Sequence, residues 1–160
     1  MDAQNILNAL RRPFHQSKVR WRCGARTKDK TKAIPLAYVD AREVMGRLDE
    51  VFGLDWECSY PLATESGLLI CEISVTIGDR KITRSNGAGD TEVEAEKGKA
   101  SDAFKRAAVL FGVGKYLYSI PNTWMEIDNF GKFKSKPVLP VWATPEGFDE
   151  IMQSREEKPQ

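Results

Sequence analysis

The 160-residue sequence is short of most features on which enzymes and secreted proteins are built. Its one histidine, His15, lies in a basic segment with no acid partner suggested nearby, which argues against a histidine-dependent triad and against a zinc site. The three cysteines, Cys23, Cys58 and Cys71, are odd in number and never spaced C-x-x-C, so reduced, partly buried thiols are expected and not a disulfide framework. No apolar run is long enough to cross a bilayer and no secretory signal is recognisable. A soluble cytoplasmic protein with no membrane partner is the expectation. Gly112-Val113-Gly114-Lys115 has part of a phosphate loop, but Tyr116 replaces the required Ser or Thr and a helix precedes the glycines where a strand belongs. That excludes nucleotide hydrolysis there, and no cofactor is expected.

What is present is an uneven distribution of charge. The net charge is only +1, yet Arg11, Arg12, Lys18, Arg20, Arg22, Arg26, Lys28, Lys30 and Lys32 follow one another with Asp29 as their only acid. Acidic residues gather in 40–50, in 90–102 and at the tail. A basic block beside a balanced domain is the electrostatic footprint of a polyanion partner, although a solvated loop has the same composition.

The length supports one domain with a real core, expected over 1–143, followed by a short C-terminal helix and flexible tail over 144–160. Asp2–Leu10 carries a short helical pattern ended by Pro13. Val19–Cys23 alternates apolar and cationic residues as a half-buried strand does, and Ile34–Val39 reads as its hairpin partner across a loop carrying Lys28, Lys30 and Lys32. Asp40 caps a helix to about Phe52 that buries Val44, Met45, Leu48 and Val51. Three strands follow, Trp56–Leu62, Leu68–Ile77 and Lys81–Asn86, the last two joined by a Gly78-Asp79 turn. The stretch Thr91–Gly112 has a capping box in Thr91 and Glu94, an apolar stripe of Ala100, Phe104, Ala107 and Phe111, and a helix-ending glycine in Gly112. After Gly114 the pattern loosens among aromatics, prolines and Lys132, Lys134 and Lys136, until Thr144-Pro145-Glu146 starts a short helix and Gln153–Gln160 forms a charged tail. The fold class is α+β, with helices covering one sheet face in a β-β-α-β-β-β-α core.

Binding residues follow from this layout. Arg20 and Arg22 project to one side of their strand, where two guanidiniums can track successive phosphates. Trp21 points to the other side, toward the core, and Tyr38 can meet either a base or the core. Lys105 and Arg106 lie about 100° apart on the long helix, off its apolar stripe, with Lys97 and Ser101 extending the same polar row. An alternative in another class is a magnesium-dependent nuclease using Asp79 and Asp90, although both also read as turn and loop-edge residues.

The basic hairpin, Ala37-Tyr38-Val39-Asp40 leading into a helix, Val51-Phe52-Gly53, the strand meander and Asp102-Ala103-Phe104-Lys105-Arg106-Ala107 with Phe111-Gly112 together resemble the Rad fifty-two family of single-strand annealing recombination proteins, over about Leu7 to Tyr118. The resemblance implies an ATP-independent protein that assembles into a homo-oligomeric ring. It holds single-stranded DNA in a cationic groove with the bases facing outward, and breaks no covalent bond. It implies DNA contacts from Arg22, Tyr38, Lys105 and Arg106. The family's animal members place a further DNA-binding arginine where this chain has Val109, so Lys115, Lys97 or the loop carrying Lys28, Lys30 and Lys32 is expected to replace it. The chain resembles a bare annealing core of phage or bacterial type, with a host single-strand binding protein or recombinase as a further partner.

Overall fold

The computed structural model describes residues 2–65, 67–89 and 96–157, without the side chains of residues 96 and 97. In chain order the elements are helix α1 (Ala3–Arg11), strands β1 (Arg20–Arg26) and β2 (Lys32–Tyr38), helix α2 (Ala41–Phe52), strands β3 (Trp56–Ala63), β4 (Leu69–Ile77) and β5 (Arg80–Ala88), helix α3 (Glu96–Val109), the two-residue strand β6 (Met125–Glu126) and helix α4 (Pro145–Glu156). The α+β class and the β-β-α-β-β-β-α order are both present. Thr91, Glu94 and Asp90 lie outside the described residues. The chain divides into two compact units, Met1–Arg11 with Asp40–Lys115 and Arg12–Val39 with Tyr116–Gln160.

The first unit is built on the antiparallel sheet β3-β4-β5. Its register aligns Trp56, Val75 and Ile82 on one face, with Cys58, Ile73 and Arg84 beside them. Helix α3 packs on β4 and β5. Ala103, Phe104, Ala107 and Ala108 are buried, and the Phe104 ring stands 6.1 Å from that of Trp56 at 46°. Burying a side chain such as Phe104 contributes about 1.5–3 kcal/mol. The opposite sheet face is polar: the Ser74 and Thr83 hydroxyls are 2.7 Å apart, and Lys81 pairs with Glu57.

Helix α3 ends as its sequence predicts. Gly112, at φ +101°, donates its N–H to Val109 O at 2.8 Å, and Val113 N–H reaches Ala108 O at 3.2 Å. This pair of bonds is a Schellman motif, and an L side chain at Gly112 would also collide with the Arg11 stem. Helix α2 corrects one expectation. Val44, Arg47, Leu48 and Phe52 are buried, while Val51 is half-buried and Met45 is 39% exposed. Arg47 takes the inner position because Nη1 donates to Ala9 O at 2.9 Å, satisfying a carbonyl at the end of α1 that has no partner within the helix.

The second unit holds the hairpin β1-β2, which β6 extends into a three-stranded sheet through Lys32↔Glu126 and Ala33↔Met125. Lys32 is therefore a strand residue and not part of the loop. Ala33, Pro35 and Val39 are buried. Arg12 forms a two-pronged bond to Asp149 of α4, at 2.9 and 2.8 Å. Thr144 caps α4 by accepting Gly147 N–H at 3.2 Å, with Pro145 in the first turn. That helix runs to Glu156, so Gln153–Glu156 belongs to it and not to a tail.

Candidate nucleic-acid interface

The β1-β2 register brings three predicted residues onto one face. Arg20 lies opposite Tyr38 and Arg22 opposite Leu36, and directly paired residues point to the same side. Arg20 and Arg22 are exposed, about 7 Å apart along the strand, while Trp21 is half-buried on the other face with Cys23. The hairpin tip is an ordered cluster of hydrogen bonds. Thr27 Oγ1, Thr31 Oγ1 and Thr31 N donate to Asp29 Oδ1 at 2.7, 2.8 and 3.2 Å, and these bonds hold its carboxyl below the usual range. Asp29 is thus engaged within the turn, and Lys28, Lys30 and Lys32 are exposed around it. Lys30 sits in the left-handed region at φ 57°.

The first unit carries the remaining candidates. Lys105 is half-buried and Arg106 exposed on α3. Arg106 Nε donates to Asp102 Oδ2 at 3.1 Å, one turn back on the helix, a counter-charge that sequence reasoning overlooked. Lys97 lies in the first turn, its side chain outside the described residues. Tyr60 Oη donates to Ala100 O and Lys99 Nζ to Gly67 O, tying the start of α3 to β3 and to the loop before β4.

Lys115 does not join the α3 row. With Arg11 and Arg84 it lines an apolar cavity of about 290 Å³ whose wall includes Val109 and Leu110. Arg84 stacks over the Phe111 ring at 5.4 Å. Sequence reasoning missed Arg84, although its alternation with Ile82 places it on the inner face of β5. Asp79 occupies the exposed β4-β5 turn. Among the described residues no group of three His, Cys, Asp or Glu side chains is placed to hold a metal, and no helix is long and apolar enough to cross a membrane.

Residues 2–66 and 66–132 match the Rad52/22 family double-strand break repair protein, covering most of the chain. The chain belongs to the Rad52/22 family. The single-stranded DNA-binding protein DdrA of Deinococcus radiodurans is 36% identical over 149 residues, which is 91% of this chain and 71% of that protein. The single-stranded DNA-binding protein DdrA of Deinococcus deserti is 33% identical over 147 residues, 91% of this chain and 73% of its own length. No solved structure is significantly similar. Within the matched residues, the Asp102-Ala103-Phe104-Lys105-Arg106-Ala107 segment of α3 buries Ala103, Phe104 and Ala107 and exposes Arg106.

Proposed function

We propose that this protein binds single-stranded DNA and anneals complementary strands in recombination and repair. The observation that carries this reading is the single hairpin face shared by Arg20, Arg22 and Tyr38, in a chain whose relatives are single-stranded DNA-binding proteins. Guanidiniums spaced along a strand neutralise successive phosphates, and a tyrosine beside them offers a ring to a base or sugar. Lys28, Lys30 and Lys32 extend the positive field at the tip. On the other unit Lys97, Lys105, Arg106 and Lys115 supply phosphate contacts, and Arg84 and Arg11 lie with Lys115 around Val109. Base pairing between the two DNA strands then reads the sequence, so the protein shows little preference among sequences. The reaction uses neither ATP nor metal, breaks no covalent bond, and proceeds on a homo-oligomeric ring.

The test is annealing of complementary labelled oligonucleotides without nucleotide or metal, together with sedimentation of the free protein. Accelerated annealing by an oligomer is the expected result. A strict monomer that leaves annealing unaccelerated, or cleavage of DNA once magnesium is added, would overturn the reading. Binding should weaken with salt by about one unit of log–log slope for each phosphate neutralised.

A further inference from the structure

Phe130 is 89% exposed in a unit whose other apolar residues include the buried Phe14, Val39 and Ile127. Its loop is closed at every turn. Asp128 Oδ1 accepts the N–H groups of Phe130 and Lys132, both at 2.9 Å, while Gly131 N–H bonds Asp128 O at 3.0 Å and Asp128 N–H bonds Lys132 O at 2.8 Å. Ile127 and Phe133 form a bridge at its base. The loop is also fixed to the cationic strand β1. Gly131, at φ +77°, leaves the Arg26 guanidinium only 2.7 Å from where a Cβ would stand, and the Cys23 thiol donates to Gly131 O at 3.1 Å. An aromatic ring is therefore held outward at the tip of a closed turn, on the sheet that carries Arg20 and Arg22.

The surroundings select the occupant. Lys132, Lys134 and Lys136 are exposed immediately after Phe130, and Arg26 lies beneath the turn. The acid within the turn, Asp128, is committed to backbone N–H groups that hold its carboxyl below the usual range. An exposed ring among cations is complementary to a polyanion that itself carries flat apolar groups. We infer that Phe130 is a stacking platform for one base of single-stranded DNA, with Lys132 and Lys134 on the adjoining phosphates. This inference rests on the single-stranded DNA reading above. It adds a second aromatic contact beside the ring that Tyr38 offers on the hairpin face. The lysines contribute to affinity through phosphate, and Phe130 contributes through any base, because every base has a π-face.

The experiment measures binding of the full chain to oligothymidine and to an abasic sugar-phosphate strand of equal length and charge. Phe130→Ala is expected to weaken oligothymidine binding roughly ten- to a hundredfold, the loss of one stacked base, with the salt slope unchanged because no charge is removed. Phe130→Trp is expected to restore it. On the abasic strand the wild type and Phe130→Ala are expected to bind alike. Equal oligothymidine binding by wild type and Phe130→Ala overturns the inference and leaves the function standing. An equal loss on both strands, or a changed sedimentation coefficient with unchanged affinity, also overturns it and assigns Phe130 to the fold or to contact between copies of the chain. If the wild type fails to bind oligothymidine at all, the function itself falls.

Discussion

Each of the two units is stabilised internally in its own way. The first buries Leu48 of α2, Phe104 of α3, and Ile73 and Val75 of β4 almost completely, and closes α3 with a Schellman turn. The second buries fewer apolar side chains, among them Phe14, Val39 and Ile127, and leaves Tyr118, Trp124, Phe130 and Val141 more than half exposed. What it lacks in core it makes up in polar turns, centred on Asp29, Asp128 and the Arg12–Asp149 pair. A unit built that way keeps aromatic and cationic surface available for a partner. A unit built on a packed core presents a stiff helix with its charges fixed in place.

The largest expected effect comes from the core. Phe104→Ala should cost about 3–5 kcal/mol, because a fully buried ring leaves a cavity that helix and sheet cannot close. The corresponding weak point of the second unit is a turn and not a core residue. Gly131→Ala places a Cβ against the Arg26 guanidinium at positive φ and should cost about 1–3 kcal/mol. Chemical unfolding of both variants, with hydrogen exchange assigning the loss to a unit, tests the contrast. A Phe104→Ala loss no larger than that of Gly131→Ala would erase it.

The same contrast governs what the sequence revealed. Period-two and 3.6-residue patterns exist because buried faces must be apolar, so the first unit was legible: the meander, the α3 stripe and the helix-ending Gly112 all appear where expected. Met45 and Arg47 are the exception there, since Arg47 is buried to satisfy α1 carbonyls, a long-range need that local periodicity does not carry. In the second unit the hairpin and the start of α4 were legible from alternation and from Thr144-Pro145. The two-residue strand β6 and the Asp128–Lys132 turn were not, because so short a pairing has no period and the turn's geometry depends on contact with β1. The candidate site followed suit. Arg20, Arg22 and Tyr38 share a face by simple alternation, and the Arg106–Asp102 pair follows from i,i+4 spacing on a helix although it was overlooked, whereas the Arg84 contact with Phe111 joins a strand to a distant turn and has no local signal.

DNA binding is the next sharpest probe, because each unit carries its own cationic pair. Arg20→Ala/Arg22→Ala and Lys105→Ala/Arg106→Ala should each weaken single-stranded DNA binding by at least about tenfold and lower the log–log salt slope by about two, with the fold unchanged. Fluorescence anisotropy across a salt series measures both quantities. If one double variant binds as the wild type does, only one unit contacts DNA.

Titration should separate the units in opposite directions. Hydrogen bonds hold the carboxyls of Asp29, Asp128 and Asp149, all in the second unit, below their ordinary range. Their stabilisation is present above about pH 4 and is lost as pH falls through the lowered values. In the first unit burial, with the nearby Cys58 thiol 3.5 Å away, pushes the Cys71 thiol up to about 12. Burial and the same two thiols also raise Tyr60. That stabilisation is complete below the ordinary thiol range, near pH 8.5, and is lost as pH rises toward the raised value. Acid should therefore release amide protection first in the second unit. Alkali should lower the thermal midpoint more in the wild type than in Cys71→Val, and an equal alkaline fall in both would remove Cys71 from the account.

The smallest expected effect isolates one charge. Asp102 lies one helical turn before Arg106 and shares its guanidinium at 3.1 Å, so at the proposed site a phosphate would compete with a carboxylate already in place. An exposed pair of this kind contributes only about 0.3–0.5 kcal/mol to the helix, so Asp102→Asn should barely alter stability. It should, however, remove a like-charge repulsion against the DNA backbone and free the guanidinium, strengthening binding by about two- to fivefold at low salt. The gain should shrink as salt is added and vanish in the Arg106→Ala background, because it acts through that guanidinium. Weaker binding by Asp102→Asn would mean instead that Asp102 orients Arg106 toward the phosphate, making the pair a positioning device and not a competitor.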